Sequence, residues 1–306
     1  MVTMLSGSSE LYITDLNRIE STIAQANQQI SSGYRITVAS DAPDQIASLL
    51  QLRADQQHNT QVESNLSLAG TEASSADGAL STAIQLMDRA VTLATQGANA
   101  TQTADTRTDI AQEVASLQAE MVAASQTTVQ GRYIFGGDQN AAPSYALDLN
   151  AADGVDVLST SAATAQVEDA SGGTFSATET AQQIFDDQNA DGSDAADNVF
   201  AALNNVRLAL LANDQDSITA GVTSLQLASQ RLNSAQAFYG TVENRIQDAT
   251  TSAQDQDVNF ATEIGNIEDA DIPSADMKLT EATTQLQAAF MVQAKMPTTT
   301  LFNYMG

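Results

Sequence analysis

Between Leu66 and Ala94, apolar residues recur at strictly alternating steps of three and four: Leu66, Ala69, Ala73, Ala76, Leu80, Ala83, Met87, Ala90 and Ala94. Spacing of this kind, held for about four heptads, keeps one seam of an α-helix facing a partner helix. A second phased run, Leu225, Ala228, Leu232, Ala235, Tyr239, Val242, Ile246 and Ala249, lies toward the far end of the chain. A shorter one, Ile110, Val114, Leu117, Met121 and Ala124, follows the first after a short connection, which makes that helix antiparallel to its predecessor. The expected fold is therefore mainly α. It is a long antiparallel coiled-coil or helical-bundle rod built from both chain ends, with a small irregular β-containing inserted domain.

The remaining elements follow from local chemistry. Leu16, Ile19, Ile23 and Ile30 form an apolar stripe on a segment rich in Gln, Asn and Ser, the pattern of an amphipathic helix, which Ser32–Gly33 ends. Ser40 or Asp41 is placed to cap the next helix, with Pro43 in its first turn, and that helix is expected from about Asp44 to Thr95. Gly97 and Asn99 read as the pivots of the turn before a third helix, roughly Asp105 to Val129. From Gly131 the pattern changes to short alternating runs at Tyr145–Leu149, Val155–Leu158, Ala165–Glu168 and Thr174–Phe175. Helices return at Asp197, and a last one starts near Ile272 with Leu279, Leu286 and Phe290 on its apolar side and Pro297 at its end.

Composition narrows the function. The chain carries 38 acidic residues against 11 basic ones, a formal net charge of −27. Such a surface repels phosphate backbones and anionic lipid, so no nucleic acid and no membrane surface is expected among its partners. No apolar stretch approaches the ~18 residues of a membrane span, and Met1–Leu11 shows neither the basic nor the apolar region of a cleavable signal. Cysteine is absent, so disulfides and thiolate metal sites are excluded.

No convergent catalytic group is visible, and the expectation is no enzyme and no cofactor. His58 is the only histidine, which removes His-based triads and zinc sites. Asp187, Asn189 and Asp191, with Gly192, match the opening of a calcium loop, but position twelve is Asn198, which cannot give a bidentate carboxylate. That segment is expected to be a solvated acidic turn ahead of a helix capped by Asp197. Arg35, Arg53, Arg89 and Arg132 are read as solvated charges.

Several stretches together are specific. They are Gln29–Ile36 (with Ser32, Gly33 and Arg35), Ser40–Pro43 (with Asp41 and Pro43), and the cluster Gly131–Gly137 (with Phe135 and Gly136). At the far end come Val242–Ile246 (with Asn244 and Arg245), Ile267–Ile272 (with Asp271) and Leu301–Met305. In this order, bracketing a middle that does not match, they resemble the bacterial flagellin superfamily, and most closely its hook–filament junction branch. Ala42 departs from the family, which usually has a second acidic residue there.

The resemblance implies a structural subunit of the bacterial flagellum, extracellular and exported by the flagellar type III route without a cleaved signal. Its partners would be other copies of itself in a ring or tube, neighbouring axial proteins (the hook-side junction protein and flagellin) and an export chaperone. The segments are then 1–40 (N-terminal assembly), 41–135 (N-terminal half of the rod), 136–196 (variable outer domain), 197–262 (C-terminal half of the rod) and 263–306 (C-terminal assembly). Leu16, Ile19, Ile23, Ile30, Leu286, Phe290, Leu301, Phe302 and Tyr304 are expected at intersubunit contacts, because a tube built by heterologous contacts needs such surfaces. Two alternatives remain: a filament flagellin, or a secreted acidic module that binds calcium or a surface on a helical stalk.

Overall fold

The structure is a computed structural model that describes residues 2–161 and 163–295, with side chains from Glu10 to Ala294. Seven α-helices are described: α1 (Val2–Ser32), α2 (Ile46–Ala98), α3 (Ala104–Ser125), α4 (Ala181–Phe185), α5 (Val199–Leu211), α6 (Gln215–Glu268) and α7 (Ile272–Lys295). Three antiparallel strand pairs lie between α3 and α4: β1 (Thr128–Val129) with β2 (Arg132–Tyr133), β3 (Tyr145–Leu147) with β4 (Val155–Val157), and β5 (Gln166–Glu168) with β6 (Thr174–Ser176). The mainly α fold with long helices from both ends and a small β-containing insert is thus observed. None of the described helices is long and apolar enough to cross a membrane.

The chain divides into two compact units, residues 59–256 and residues 1–58 with 257–306; α2 and α6 supply residues to both. In the larger unit the three heptad seams meet. Leu66, Leu80, Met87, Val114, Met121, Leu225, Leu232 and Tyr239 all belong to one continuous buried cluster. Small residues set the helix spacing: a methyl group at Gly70 would already touch Ile246 at 3.6 Å. Gly97 lies inside the last turn of α2 rather than acting as a pivot, and Leu210 occupies the space its side chain would need. The turn is made by Asn99, whose Oδ1 accepts from the Thr101 amide at 3.0 Å.

Two buried arginines, neither singled out above, lock this unit. Arg107 donates from Nε to the Gly97 carbonyl (2.9 Å) and from NH1 to Asn213 Oδ1 (2.6 Å), which ties the α2–α3 turn to the α5–α6 turn. Arg207 donates from Nε to Asn204 Oδ1 (2.9 Å) and from NH2 to the Leu149 carbonyl (2.7 Å). Asn204 in turn donates to the carbonyls of Ala151 and Ala152, so the loop between β3 and β4 is laced onto α5. A buried guanidinium is tolerated when its donors reach carbonyl oxygens in this way.

α3 ends at Ser125, short of the expected Val129, because the backbone turns there into β1. β1 and β2 are joined by Gln130 and Gly131, both at positive φ (52° and 79°), the geometry of a tight hairpin that glycine favours. The insert adds aromatic bulk to the alanine-rich helices. Phe135 packs edge-on against Phe185 (5.6 Å between centroids) and Tyr239 (6.2 Å), while Phe185 stacks on Phe200 at 5.8 Å. The short helix α4 carries Phe185 into this cluster and opens with a capping box between Thr180 and Gln183.

Candidate assembly surface

In the smaller unit α1 and α7 pair in antiparallel fashion. Tyr12 Oη donates to the Ala289 carbonyl (3.2 Å) near one end, and the Ala270 amide donates to the Gly33 carbonyl (2.8 Å) at the other. On α1 the inward positions are Tyr12, Leu16, Ile19, Ile23, Ala26 and Ile30; on α7 they are Ala275, Leu279, Ala282, Leu286 and Ala289. Both sets keep the heptad step, and the register brings Leu16 level with Leu286.

Leu16, Ile19, Ile23, Ile30 and Leu286 are therefore half-buried within the subunit, facing the partner helix. Among the described residues of this pair, only alanines (Ala26, Ala275 and Ala282) are fully buried. Phe290 is turned outward and 53% exposed. Leu301, Phe302 and Tyr304 lie outside the described residues. Beside Phe290, a second set of large apolar side chains stands in solvent: Leu11, Ile13, Met277, Met291 and Val292. These were missed because they fall out of phase with the seam. Marking every apolar residue that the heptad leaves over would have found them.

The segment between α1 and α2 is a built joint. Gly33 adopts φ 77° just past α1, and its amide donates to Gln29 O at 2.9 Å, which confirms the helix stop. Asp41 does not cap α2, which begins five residues later. Its Oδ2 accepts from the amides of Thr37 (2.9 Å) and Val38 (3.0 Å), and these bonds hold its carboxyl below the ordinary range. Pro43 lies in the turn before α2 rather than in its first turn. Ala42 is buried, so a carboxylate there would have lost its water.

The family-motif residues of this unit work together. The Arg35 amide donates to the Glu268 carbonyl (2.6 Å), and its guanidinium donates to the Ile267 carbonyl (2.5 Å) and to Gln45 Oε1 (2.8 Å). Arg53 pairs with both oxygens of the buried Glu268, at 2.6 and 2.7 Å. Asp271 Oδ1 accepts from the Ser274 amide at 3.2 Å and caps α7. Neither Arg35 nor Arg53 is a bare solvated charge, and Arg89 likewise pairs with Glu113 at 2.5 Å.

The other motif residues belong to the larger unit. Phe135 is core, and its carbonyl accepts from the Ala181 amide at 2.7 Å. Gly136 must lack a side chain because the Asn140 backbone sits 2.8 Å from where its Cβ would be. Asn244 bonds within its own helix, to Gly240 O, whereas Arg245 covers the Phe175 ring at 4.2 Å and pins the β5–β6 hairpin to α6.

The acidic turn does not gather its own oxygens. Asp187 pairs with Arg231 (3.0 Å), the Asn189 amide nitrogen donates to Ser193 Oγ, and Asp191 accepts from the Ser193 amide and hydroxyl. The cap of α5 is Asn198 rather than Asp197, with its Oδ1 accepting from Ala201 N at 2.9 Å. A different set of acids does converge: carboxylate oxygens of Asp153, Asp186 and Asp194 all lie within 4.8 Å of one another. Asp186 is only 1% exposed and accepts from Tyr145 Oη (3.0 Å) and Asn198 Nδ2 (2.8 Å). Burial pushes its carboxyl above the ordinary range, as do Asp153 and Asp194, against the pull of the two hydrogen bonds. Such a cluster is relieved by a shared proton or by a cation held on oxygen ligands.

Comparison with known proteins adds the family. The bacterial flagellin N-terminal helical region matches residues 8–140 and the bacterial flagellin C-terminal helical region matches residues 213–305. Among solved structures, the chain is similar to a flagellar hook-associated protein from Vibrio parahaemolyticus, with 18% identity and a TM-score of 0.63 over 75% of this chain and 100% of that one. It is also similar to Xanthomonas campestris FlgL (18%, TM-score 0.59, 69% of this chain and 98% of that one). A third is the flagellar hook-associated protein-3 of Legionella pneumophila (11%, TM-score 0.60, 71% of this chain and 98% of that one). No curated protein sequence matches the chain.

Proposed function

Because the chain belongs to the bacterial flagellin family, we propose that it serves as a structural subunit joining the flagellar hook to its filament, with no catalytic step. One observation carries this reading: the α1–α7 pair leaves Leu11, Ile13, Met277, Phe290, Met291 and Val292 exposed. A free subunit gains nothing by presenting so much apolar surface to water, whereas a lattice of neighbours buries it and draws free energy from that burial. The likeness to proteins named as hook-associated favours the junction over the filament as the place of assembly.

On this reading the protein is an extracellular axial component that leaves the cell by the flagellar export route, with a chaperone shielding its ends beforehand. Its neighbours are further copies of itself, a hook-side junction protein and flagellin. Leu301, Phe302 and Tyr304, outside the described residues, are assigned to intersubunit contacts on the same reading. Deleting residues 297–306 should leave a soluble subunit that no longer assembles, and normal motility in that strain would overturn the proposal. Immunogold labelling confined to the hook–filament boundary supports the junction role. Labelling along the whole filament would make the chain a flagellin instead.

A further inference from the structure

Arg231 and Glu179 frame a cleft that the assembly reading does not use. It has a volume of about 520 Å³ and opens on the outer face of α6, between Leu227, Gln230, Arg231, Ser234 and Ala235 on one side and Glu179, Gln183 and Asp197 on the other. The one cation in the wall is fully committed. Arg231 donates from Nε and NH2 to the Gln183 carbonyl (2.9 and 2.7 Å), and its NH1 reaches Asp187 (3.0 Å) and Asp197 (3.2 Å). One guanidinium between two carboxylates leaves that group with a surplus negative charge.

Glu179 adds a second. Its backbone is fixed, because its amide donates to Tyr239 Oη at 3.1 Å, so the side chain springs from a rigid point beside the core. The carboxylate is half-buried, and among the described residues no hydrogen bond or ion pair reaches it. Burial pushes its carboxyl above the ordinary range, and the attraction of Arg231 offsets this only in part. A partly desolvated carboxylate without a partner, next to the apolar flank of Leu227 and Ala235, favours a cation on a hydrocarbon stem.

We propose that this cleft is a docking point for an arginine or lysine side chain of a different protein, with the charged head on Glu179 and the stem along Leu227. Charge argues against a second copy as the donor. The chain has only 11 basic residues against 38 acidic ones, and Arg53, Arg89, Arg107, Arg207 and Arg231 are already engaged within their own subunit. A basic partner meets an acidic surface instead, which gives both selectivity and fast encounter. The carboxamide oxygen of Gln230 at the rim can accept a remaining donor of a guanidinium.

Agmatine, a guanidinium and an ammonium joined by a four-carbon stem, probes the cleft in the full chain by amide NMR titration. The expected result is saturable shifts at Gln183, Leu227, Gln230 and Ser234, no shifts with neutral N-butylurea, and at least tenfold weaker binding in Glu179→Gln. Ser234→Trp, which fills the cleft from an exposed position, should abolish the shifts while leaving the circular dichroism spectrum and melting temperature unchanged. A capped alanine helix bearing one central arginine should bind more tightly than agmatine. Equal agmatine binding by Glu179→Gln, or equal binding of N-butylurea, overturns the proposal. Spermidine binding more tightly than the arginine helix also overturns it, by making the cleft a polyamine site.

Discussion

The two units use the same heptad grammar and end in opposite states. In the larger one, seam positions such as Leu66, Leu80, Met87, Leu225 and Leu232 have lost all contact with water. In the smaller one, Leu16, Ile19, Ile23 and Leu286 keep the same phase and remain half exposed. The difference is the number of neighbours. α2, α3, α5 and α6 surround one another and are covered by the aromatic insert, so each stripe meets apolar surface on several sides. Among the described residues α1 packs chiefly on α7, and two cylinders in contact shield a narrow line. A heptad thus states which side of a helix seeks a partner, while burial depends on how many partners arrive.

The comparison breaks first, and by the largest amount, under truncation of the cores. Phe135→Ala removes a fully buried ring that touches both Phe185 and Tyr239, and should destabilise the larger unit by about 3–5 kcal/mol. Leu16→Ala removes a side chain that is only half covered, and should cost the free subunit about 1 kcal/mol. Urea melts followed by far-UV circular dichroism separate the two. Equal losses would mean that the smaller unit is packed as fully as the larger one and that no assembly surface is held in reserve.

A smaller effect separates the units by pH. In the larger unit, Asp186 and Asp194 have carboxyl groups raised by burial and by the acids beside them. A raised folded pKa means that the folded state holds its proton more tightly than the unfolded chain does. The associated stability is complete below the ordinary carboxylate range and is lost as pH rises through the folded values. Asp191 and Asp214 run the other way: hydrogen bonds from Ser193 and Ser217 lower them, so their contribution is lost as pH falls below that range. Both are fully exposed, and water mutes the effect. The larger unit should therefore lose stability as pH rises from the ordinary carboxylate range toward neutrality. Asp153→Asn should flatten this dependence, as followed by thermal melts across the range. An unchanged slope would remove the cluster as its source.

Most of the fold was legible because the two periods are strong. The seams at Leu66–Ala94 and Leu225–Ala249 needed nothing beyond spacing, and alternation marked β3, β4, β5 and β6. Helix α4 was not legible, since five residues hold barely more than one helical turn and no stripe can form. Asp153, in the loop between β3 and β4, lies far along the chain from Asp186 and Asp194, so only tertiary folding brings the three charges together. Arg107 was overlooked for a related reason: its acceptors are backbone carbonyls and the side chain of the distant Asn213, which give no local sequence signal. The half-buried state of Leu16 and Leu286 was hidden too. Spacing cannot say whether the partner of a seam belongs to the same chain.

That ambiguity yields the sharpest prediction, which has the smallest effect on the subunit itself. Phe290 follows Ala289, whose carbonyl accepts from Tyr12, but its own ring points away from the pair. Phe290→Ser should change the melting temperature of the free protein by no more than its error, since surface substitutions away from packed contacts stay within about 0.5 kcal/mol. The same change placed at a lattice contact removes a large apolar group from every interface in a ring, so a small loss per site is multiplied around the closed assembly. Electron microscopy of flagella from the mutant strain should then show hooks without stable filaments. If instead the subunit is destabilised while filaments form normally, Phe290 serves the fold of its own chain. The difference between the two units would then lie in packing density alone.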